Sequence, residues 1–153
     1  LADIEAAIKP DDAHFAKSRL LTLENTWGGK LLPFDYVQAA TALAASRGLS
    51  RHLDGARLFN AATLQAAQKG SDPYAEAKAI AGCFDSASVC FSKGLGAPVG
   101  SALCGSRDFI ARAHRILEFV TDLFSERQRH GESPESAPLK TQKGRRFFTF
   151  TPH

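Results

Sequence analysis

Three short stretches carry side chains that can do chemistry. Lys93 follows an apolar run and opens Lys93-Gly94-Leu95-Gly96-Ala97-Pro98-Val99-Gly100. A Lys held at a strand end and partly desolvated has a lowered pKa and attacks aldehydes. The neighbouring glycines let backbone or ligand approach closely. The bland alternative is a solvated Lys in a Gly-rich turn. Asp54 follows His52-Leu53 and precedes Gly55-Ala56-Arg57. Its carboxylate can hold a protonated ring nitrogen, and Arg57 can grip a carboxylate with two parallel hydrogen bonds. Asp54 serves equally well as the cap of a helix beginning near Arg57. His52, two residues before Asp54, shares its strand face; a His satisfied by backbone is the commoner case. Glu24, Asn25 and Thr26 offer polar groups at the end of a further apolar run, or else form a polar turn.

These residues need elements to position them. Residues 3–8 read as the end of a helix that Lys9-Pro10 stops. Residues 19–23 have the length of a buried strand, and Gly28-Gly29 marks a tight turn. Residues 34–47 are helical, with Phe34, Val37, Thr41 and Ala44 on one face and Gly48 just past the end. A strand-like step at His52-Leu53 leads to an Ala-rich helix over 57–68. Asp72-Pro73 opens a further helix as cap and first residue. Residues 87–91 and 101–105 are strands, and 107–115 a helix, with 117–124 as its extension. The order predicts an α/β fold with a mostly parallel sheet. In such sheets ligands bind at the carboxyl ends of the strands, where all three polar stretches fall.

Composition bounds the rest. A chain of 153 residues with 44% hydrophobic and 23% charged residues is ordinary for one globular domain. Its net charge of +3 is too small to suggest nucleic-acid or membrane binding. No apolar run has the length of a membrane helix, and no secretory leader is visible. Cys83, Cys90 and Cys104 form no C-x-x-C pair; packing roles, no metal site and a reducing cytoplasm fit them best. The Gly94 loop is spaced G-x-G-x-x-x-G, and Pro98 removes a backbone donor, so a dinucleotide site is disfavoured. Lys140, Lys143, Arg145 and Arg146 read as a solvated basic cluster. Alanine is dense before residue 116 and sparse after it. The predicted division is therefore a domain over 1–116 and a divergent tail over 117–153, with 125–153 disordered.

Taken together, Leu23-Glu24-Asn25-Thr26 with Gly28-Gly29, His52-Leu53-Asp54-Gly55-Ala56-Arg57-Leu58-Phe59-Asn60-Ala61, and Ser92-Lys93-Gly94-Leu95-Gly96-Ala97-Pro98-Val99-Gly100-Ser101 resemble the threonine aldolases, of the low-specificity L type. These belong to the pyridoxal-phosphate-dependent fold-type I superfamily of aspartate aminotransferase type. The resemblance covers about residues 1–115 and implies part of that superfamily's large domain. It implies that Lys93 links covalently to pyridoxal 5′-phosphate, and that Asp54 pairs with the pyridine nitrogen. It also implies that Arg57 binds cofactor or substrate carboxylate. Glu24, Asn25, Thr26, His52 and Arg57 would line the substrate pocket. The implied reaction cleaves β-hydroxy-α-amino acids, threonine and allo-threonine, to glycine and an aldehyde, in a cytoplasmic homotetramer.

Family members are more than twice as long, with cofactor-phosphate ligands and a ring-stacking His ahead of the stretch matched here. The chain has no Met and starts at Leu1, so it reads as processed or as a fragment. From Ile116 onward it reads as out of frame or unrelated. Two alternatives remain open: a non-catalytic remnant of such an enzyme, and a related β-eliminating lyase.

Overall fold

A computed structural model describes residues 1–129, with side chains through residue 119. The elements alternate as expected: α1 (Ala2–Ala7), β1 (Leu20–Glu24), α2 (Phe34–Ser46), β2 (Ser50–Gly55), α3 (Leu58–Lys69), α4 (Pro73–Ala81), β3 (Ser86–Cys90), β4 (Ser101–Gly105) and α5 (Arg107–Arg129). Local chemistry sets several boundaries. The Asp72 carboxylate accepts the Ala75 N–H at 2.7 Å, and Pro73 begins α4. Gly28 and Gly29 form a two-residue turn closed by reciprocal Trp27–Lys30 backbone bonds of 3.0 and 2.9 Å.

The sheet order is β1-β2-β3-β4, with the first three strands parallel and β4 antiparallel to β3. The expected mostly parallel α/β fold is what forms. Both parallel crossovers step the same way across the sheet, so right-handed connections put their helices on one face. Leu53, Ala87, Val89 and Ala102 point to that face and pack against Leu58, Ala61, Ala62, Ala77 and Ile80 of α3 and α4. Phe34 of α2 packs against the same cluster. Small alanines let the helices approach closely, and Leu53, 0% exposed, fills the centre.

Two polar clusters pin this arrangement. At the entry to β2 and β3, the Asp85 carboxylate accepts the Arg51 backbone N–H at 2.8 Å and its Nε at 3.0 Å, and Arg51 NH2 joins as well. Asp85 N–H returns a bond to the Arg51 carbonyl at 2.9 Å. This fixes the β2–β3 register just ahead of the His52–Ser86 pair. Strand β2 is longer than the two-residue step read from sequence, because Ser50 and Arg51 pair with Leu20 and Leu21 of β1. At the α3–α4 corner, Glu76 is 8% exposed and accepts from Gln65, from Ser71 Oγ at 2.7 Å and from Lys69 Nζ at 2.9 Å. The Gln65 bond, then those of Ser71 and Lys69, hold its carboxyl down to about 2. Lys69 Nζ also sits 4.7 Å from the centre of the Phe34 ring, tying α2 to the corner.

One expectation is corrected. Helix α5 continues through the composition change at 116 to Arg129, so the extension expected over 117–124 forms, and 125–129, expected to be disordered, is helical too. The cause is local: residues 107–129 contain neither Gly nor Pro and are rich in Arg, a good helix former. The remainder of the expected tail, with its basic cluster, lies outside the described residues.

Two outcomes follow from this packing. Leu53→Ala should cost about 2–5 kcal/mol in denaturant unfolding, as a cavity in a close-packed centre does. Glu76 has a folded pKa below its ordinary value of 4.5. Its stabilisation is therefore present above that value and lost as pH falls toward about 2. Glu76→Gln should lower the melting temperature at pH 7, and the gap to wild type should close toward pH 2. A gap that is the same at both pH values would refute this account of the corner.

Candidate active site

The period of two along β2 divides its side chains between two jobs. Leu53 and Gly55 face the helices and are buried, while His52 and Asp54 face the other way and are half-buried. The register carries this division across the sheet. Thr22, His52 and Ser86 lie in one row, and Glu24, Asp54 and Ser88 in the next. A polar stripe therefore crosses β1, β2 and β3 on the face away from the apolar core.

Close backbone packing places its far end. A Cβ on Gly55 would stand 2.8 Å from the Ser88 carbonyl oxygen and 3.2 Å from Leu58 Cβ. Glycine is the residue that fits there, and it lets the β2 end close onto β3 and α3. Asp54 does not cap α3. Its Oδ1 accepts the Ala56 N–H at 3.2 Å, two residues on, and so shapes the turn into the helix. The N-cap position belongs to Arg57, which makes no side-chain cap bond and whose side chain is exposed. The Asp54 carbonyl accepts the Asn25 N–H at 3.1 Å, tying the β1 exit to the β2 exit.

Asn25 and Thr26 are buried. Asn25 Oδ1 accepts the Leu32 N–H at 3.2 Å, which closes the loop over residues 25–32. Its Nδ2 is enclosed and has no hydrogen-bond partner among the described residues. The Asn25 side chain thus organises the loop, while Glu24 remains half-buried at the strand end.

Lys93 lies three residues past β3, on the same edge of the sheet. It is exposed, and its side chain has no ion-pair or hydrogen-bond partner among the described residues. The partial desolvation anticipated from the apolar run before it is not provided by these residues, because nothing described covers the loop. The loop itself is held firmly. Phe91 N–H bonds the Gly100 carbonyl at 2.9 Å, Ala97 N–H bonds the Phe91 carbonyl at 3.0 Å, and Gly96 N–H bonds the Lys93 carbonyl at 3.0 Å. A Cβ on Gly94 would meet Asn60 Oδ1 at 2.7 Å and Phe59 Cβ at 3.2 Å, so the loop lies against the first turn of α3. The structure thus gathers Glu24, Asp54, Arg57 and Lys93 at the carboxyl edge of three parallel strands.

His52 sits one row back, with Nδ1 2.8 Å from Ser86 Oγ. Burial pushes its imidazole below the ordinary value, and the Asp54 charge partly opposes this. Ser86 and Ser88 were not singled out from sequence, although Ser86-x-Ser88 shows polar residues at the spacing of one strand face. Burial raises the Cys104 thiol, and burial against a smaller opposing effect of Arg51 raises Cys83, so neither is an activated nucleophile. Among the described residues no cluster of His, Cys, Asp and Glu can hold a metal ion. A groove of about 280 Å³ lies at the other end of the sheet, between α1 and the start of β1. Its lining is mainly apolar, with Ile4, Ile8, Leu21 and Leu49, and its polar side chains are Asp3 and Ser18.

The beta-eliminating lyase family model matches residues 1–128. Over 115 residues the chain is 47% identical to the low specificity L-threonine aldolase of Escherichia coli K12, a stretch that is 75% of this chain and 32% of that protein. It is 41% identical to the low specificity L-threonine aldolase of Saccharomyces cerevisiae, over 74% of this chain and 28% of that one. A solved structure from Exiguobacterium sp. 255-15, described as an aromatic amino acid beta-eliminating lyase/threonine aldolase, superposes with a TM-score of 0.56 at 34% identity. That superposition covers 80% of this chain and 30% of the other. The chain therefore spans about a third of the length of these relatives.

Gly55→Ala tests the packing that presents Asp54. Overpacking against a backbone carbonyl should cost about 1–3 kcal/mol. It should also shift the backbone amide resonances of Asp54, Ala56 and Ser88 far more than those of α1. Wild-type stability and an unmoved spectrum would show that the β2–β3 approach is looser than described.

Proposed function

Because the chain belongs to the beta-eliminating lyase family, we propose that it is part of a pyridoxal-phosphate-dependent aldehyde-lyase cleaving β-hydroxy-α-amino acids to glycine and an aldehyde. The observation that carries this reading is the presentation of Lys93 and Asp54 at one carboxyl edge of the parallel strands. The donor set there fits the cofactor. Asp54 uses one carboxylate oxygen in its own turn, and the other has no hydrogen bond among the described residues. The Lys93 amine has no partner among the described residues, and the loop that carries it is seated on Phe59 and Asn60 through Gly94.

The roles follow from charge and reach. Asp54 would hold the protonated ring nitrogen, with His52 behind it and Glu24 beside it. Lys93 Nζ would supply the amine that anchors the cofactor aldehyde. Arg57, exposed at the start of α3, would take the substrate carboxylate in a two-bond clamp. The loop after Glu24, shaped by Asn25 and carrying Thr26, would form one wall of the pocket. The bound cofactor supplies an electron-accepting ring for the pair released when a bond to the substrate α-carbon breaks.

The likeness to longer aldolases supports a homotetramer for the intact protein. No described helix is long and apolar enough to cross a membrane. Three unpaired cysteines suit a reducing compartment, which supports a cytoplasmic location. A second reading, β-elimination that releases the β-substituent as a protonated leaving group and, after hydrolysis by water, a 2-oxo acid and ammonia, is favoured by the description of the Exiguobacterium structure. Product analysis separates the two.

Borohydride trapping tests the site. The chain is mixed with pyridoxal phosphate, reduced, digested and mapped by mass spectrometry. Pyridoxyl labelling should concentrate at Lys93 and vanish in Lys93→Ala. Asp54→Asn should weaken cofactor binding about 10- to 100-fold, the worth of a charged hydrogen bond. Labelling spread evenly over the exposed lysines would leave the chain as a non-catalytic remnant.

A further inference from the structure

Helix α5 is seated differently from the helices that cover the sheet. Its first turn is packed: Ile110 is buried, and Phe109 lies against Gly105, where a Cβ would stand 2.7 Å from the ring. Beyond that turn Ile116 is 64% and Phe119 67% exposed. At 1.5 Å per residue the helix over 107–129 is about 35 Å long, so most of it lies past the turn that rests on β4. Strand β4 is antiparallel and sets Gly105 level with Ser86, so α5 leaves the sheet at the end opposite Lys93. Apolar residues recur along it at 109, 113, 116, 120 and 123, the alternating four- and three-residue steps of a helix that pairs with another helix. Ile116 and Phe119, one turn apart and in water, are the uncovered part of that stripe.

We propose that this stripe is a pairing surface for a second copy of the chain, with the two α5 helices antiparallel and their two-fold axis beside Phe119. The charge order along the helix selects both the occupant and the direction. Arg112, Phe119 and Glu126 are spaced seven residues apart and form one row flanking the stripe. Asp108, Arg115, Asp122 and Arg129 form a second row at the same spacing, alternating in sign. About an axis beside Phe119, an antiparallel copy brings position 112 level with 126, 115 with 122, and 108 with 129. Each of these pairs joins opposite charges. A parallel copy in register sets every charge beside its own kind, which is unfavourable. A lipid surface does not account for this order, because helices that lie on membranes gather basic residues on the polar face. The stretch from 112 to 126 is about four turns long, so the association is of micromolar order. It is independent of the cofactor reading, since Lys93 and Asp54 lie at the other end of the sheet.

The test is sedimentation velocity of the full chain over a concentration series, with a thermal melt of each variant at the dilute end. Wild type should pass from monomer to dimer as concentration rises through the micromolar range. Ile116→Lys and Phe119→Lys each change an exposed side chain, so the dilute melting temperature should hold while dimer affinity falls about tenfold or more. Arg112→Glu sets acid against acid twice in the antiparallel pair and should weaken it about tenfold. Adding Glu126→Arg to Arg112→Glu restores opposite signs and should bring the affinity back. A parallel pair would show neither the loss nor the rescue. A chain that stays monomeric throughout the series overturns the proposal, and so does a dimer indifferent to Ile116→Lys. A charge reversal that the second reversal does not rescue overturns the antiparallel arrangement. A monomer that melts lower as Ile116→Lys would mean that the chain covers the stripe itself. Co-sedimentation of a monomer with anionic phospholipid vesicles would give the surface to lipid, and either of these results also overturns the proposal.

Discussion

The site depends on how closely β2 and β3 approach at Gly55, where the Ser88 carbonyl occupies the space a side chain would need. That approach brings the Asp54 row level with Ser88, closes α3 onto the strand ends, and gives the Gly94 loop a floor of Phe59 and Asn60. The Arg51–Asp85 pair locks the opposite end of the same two strands. With both ends fixed, the two-residue alternation along β2 becomes a functional division. Leu53 serves the apolar core, and His52 and Asp54 serve the open face.

Much of this was legible in the chain. Helix boundaries followed from Asp72-Pro73, Gly48 and the alanine spacing, because caps and propensity act locally. The three strand-end stretches were legible because parallel α/β sheets present their polar loops at one edge. Length in β2 was not legible: Ser50 and Arg51 are polar, and it is their pairing with Leu20 and Leu21 of β1 that makes them strand. Helix α5 runs past the expected extension to 124, because the polar stretch from 125 lacks an apolar period but does not end a helix. Helix formation responds to breakers, and none occurs before Arg129.

The candidate site was legible by residue type and less so by role. Asp54 had two readings of equal weight, and the geometry gives a third local one: it turns the chain at Ala56 and caps nothing. Asn25 was read as a pocket residue; its side chain is enclosed and braces the 25–32 loop through Leu32. Ser86 drew no attention, since an isolated Ser in a short strand carries no pattern until its neighbour across the ladder is known. These differences share a cause. Sequence spacing shows which residues share an element, whereas hydrogen-bond roles depend on contacts between elements.

The Trp27 turn has an optical consequence. Trp27 is the chain's only tryptophan, and it is 65% exposed on the loop that leaves the β1 end. Its indole stands on a two-residue turn anchored next to enclosed Asn25 and Thr26. Tryptophan emission from this molecule thus arises from a single indole, located on the loop that borders the strand-end edge. Its wavelength reads the wetness of that rim, and its intensity reads the arrival of any near-ultraviolet absorber there, without a label or a reaction.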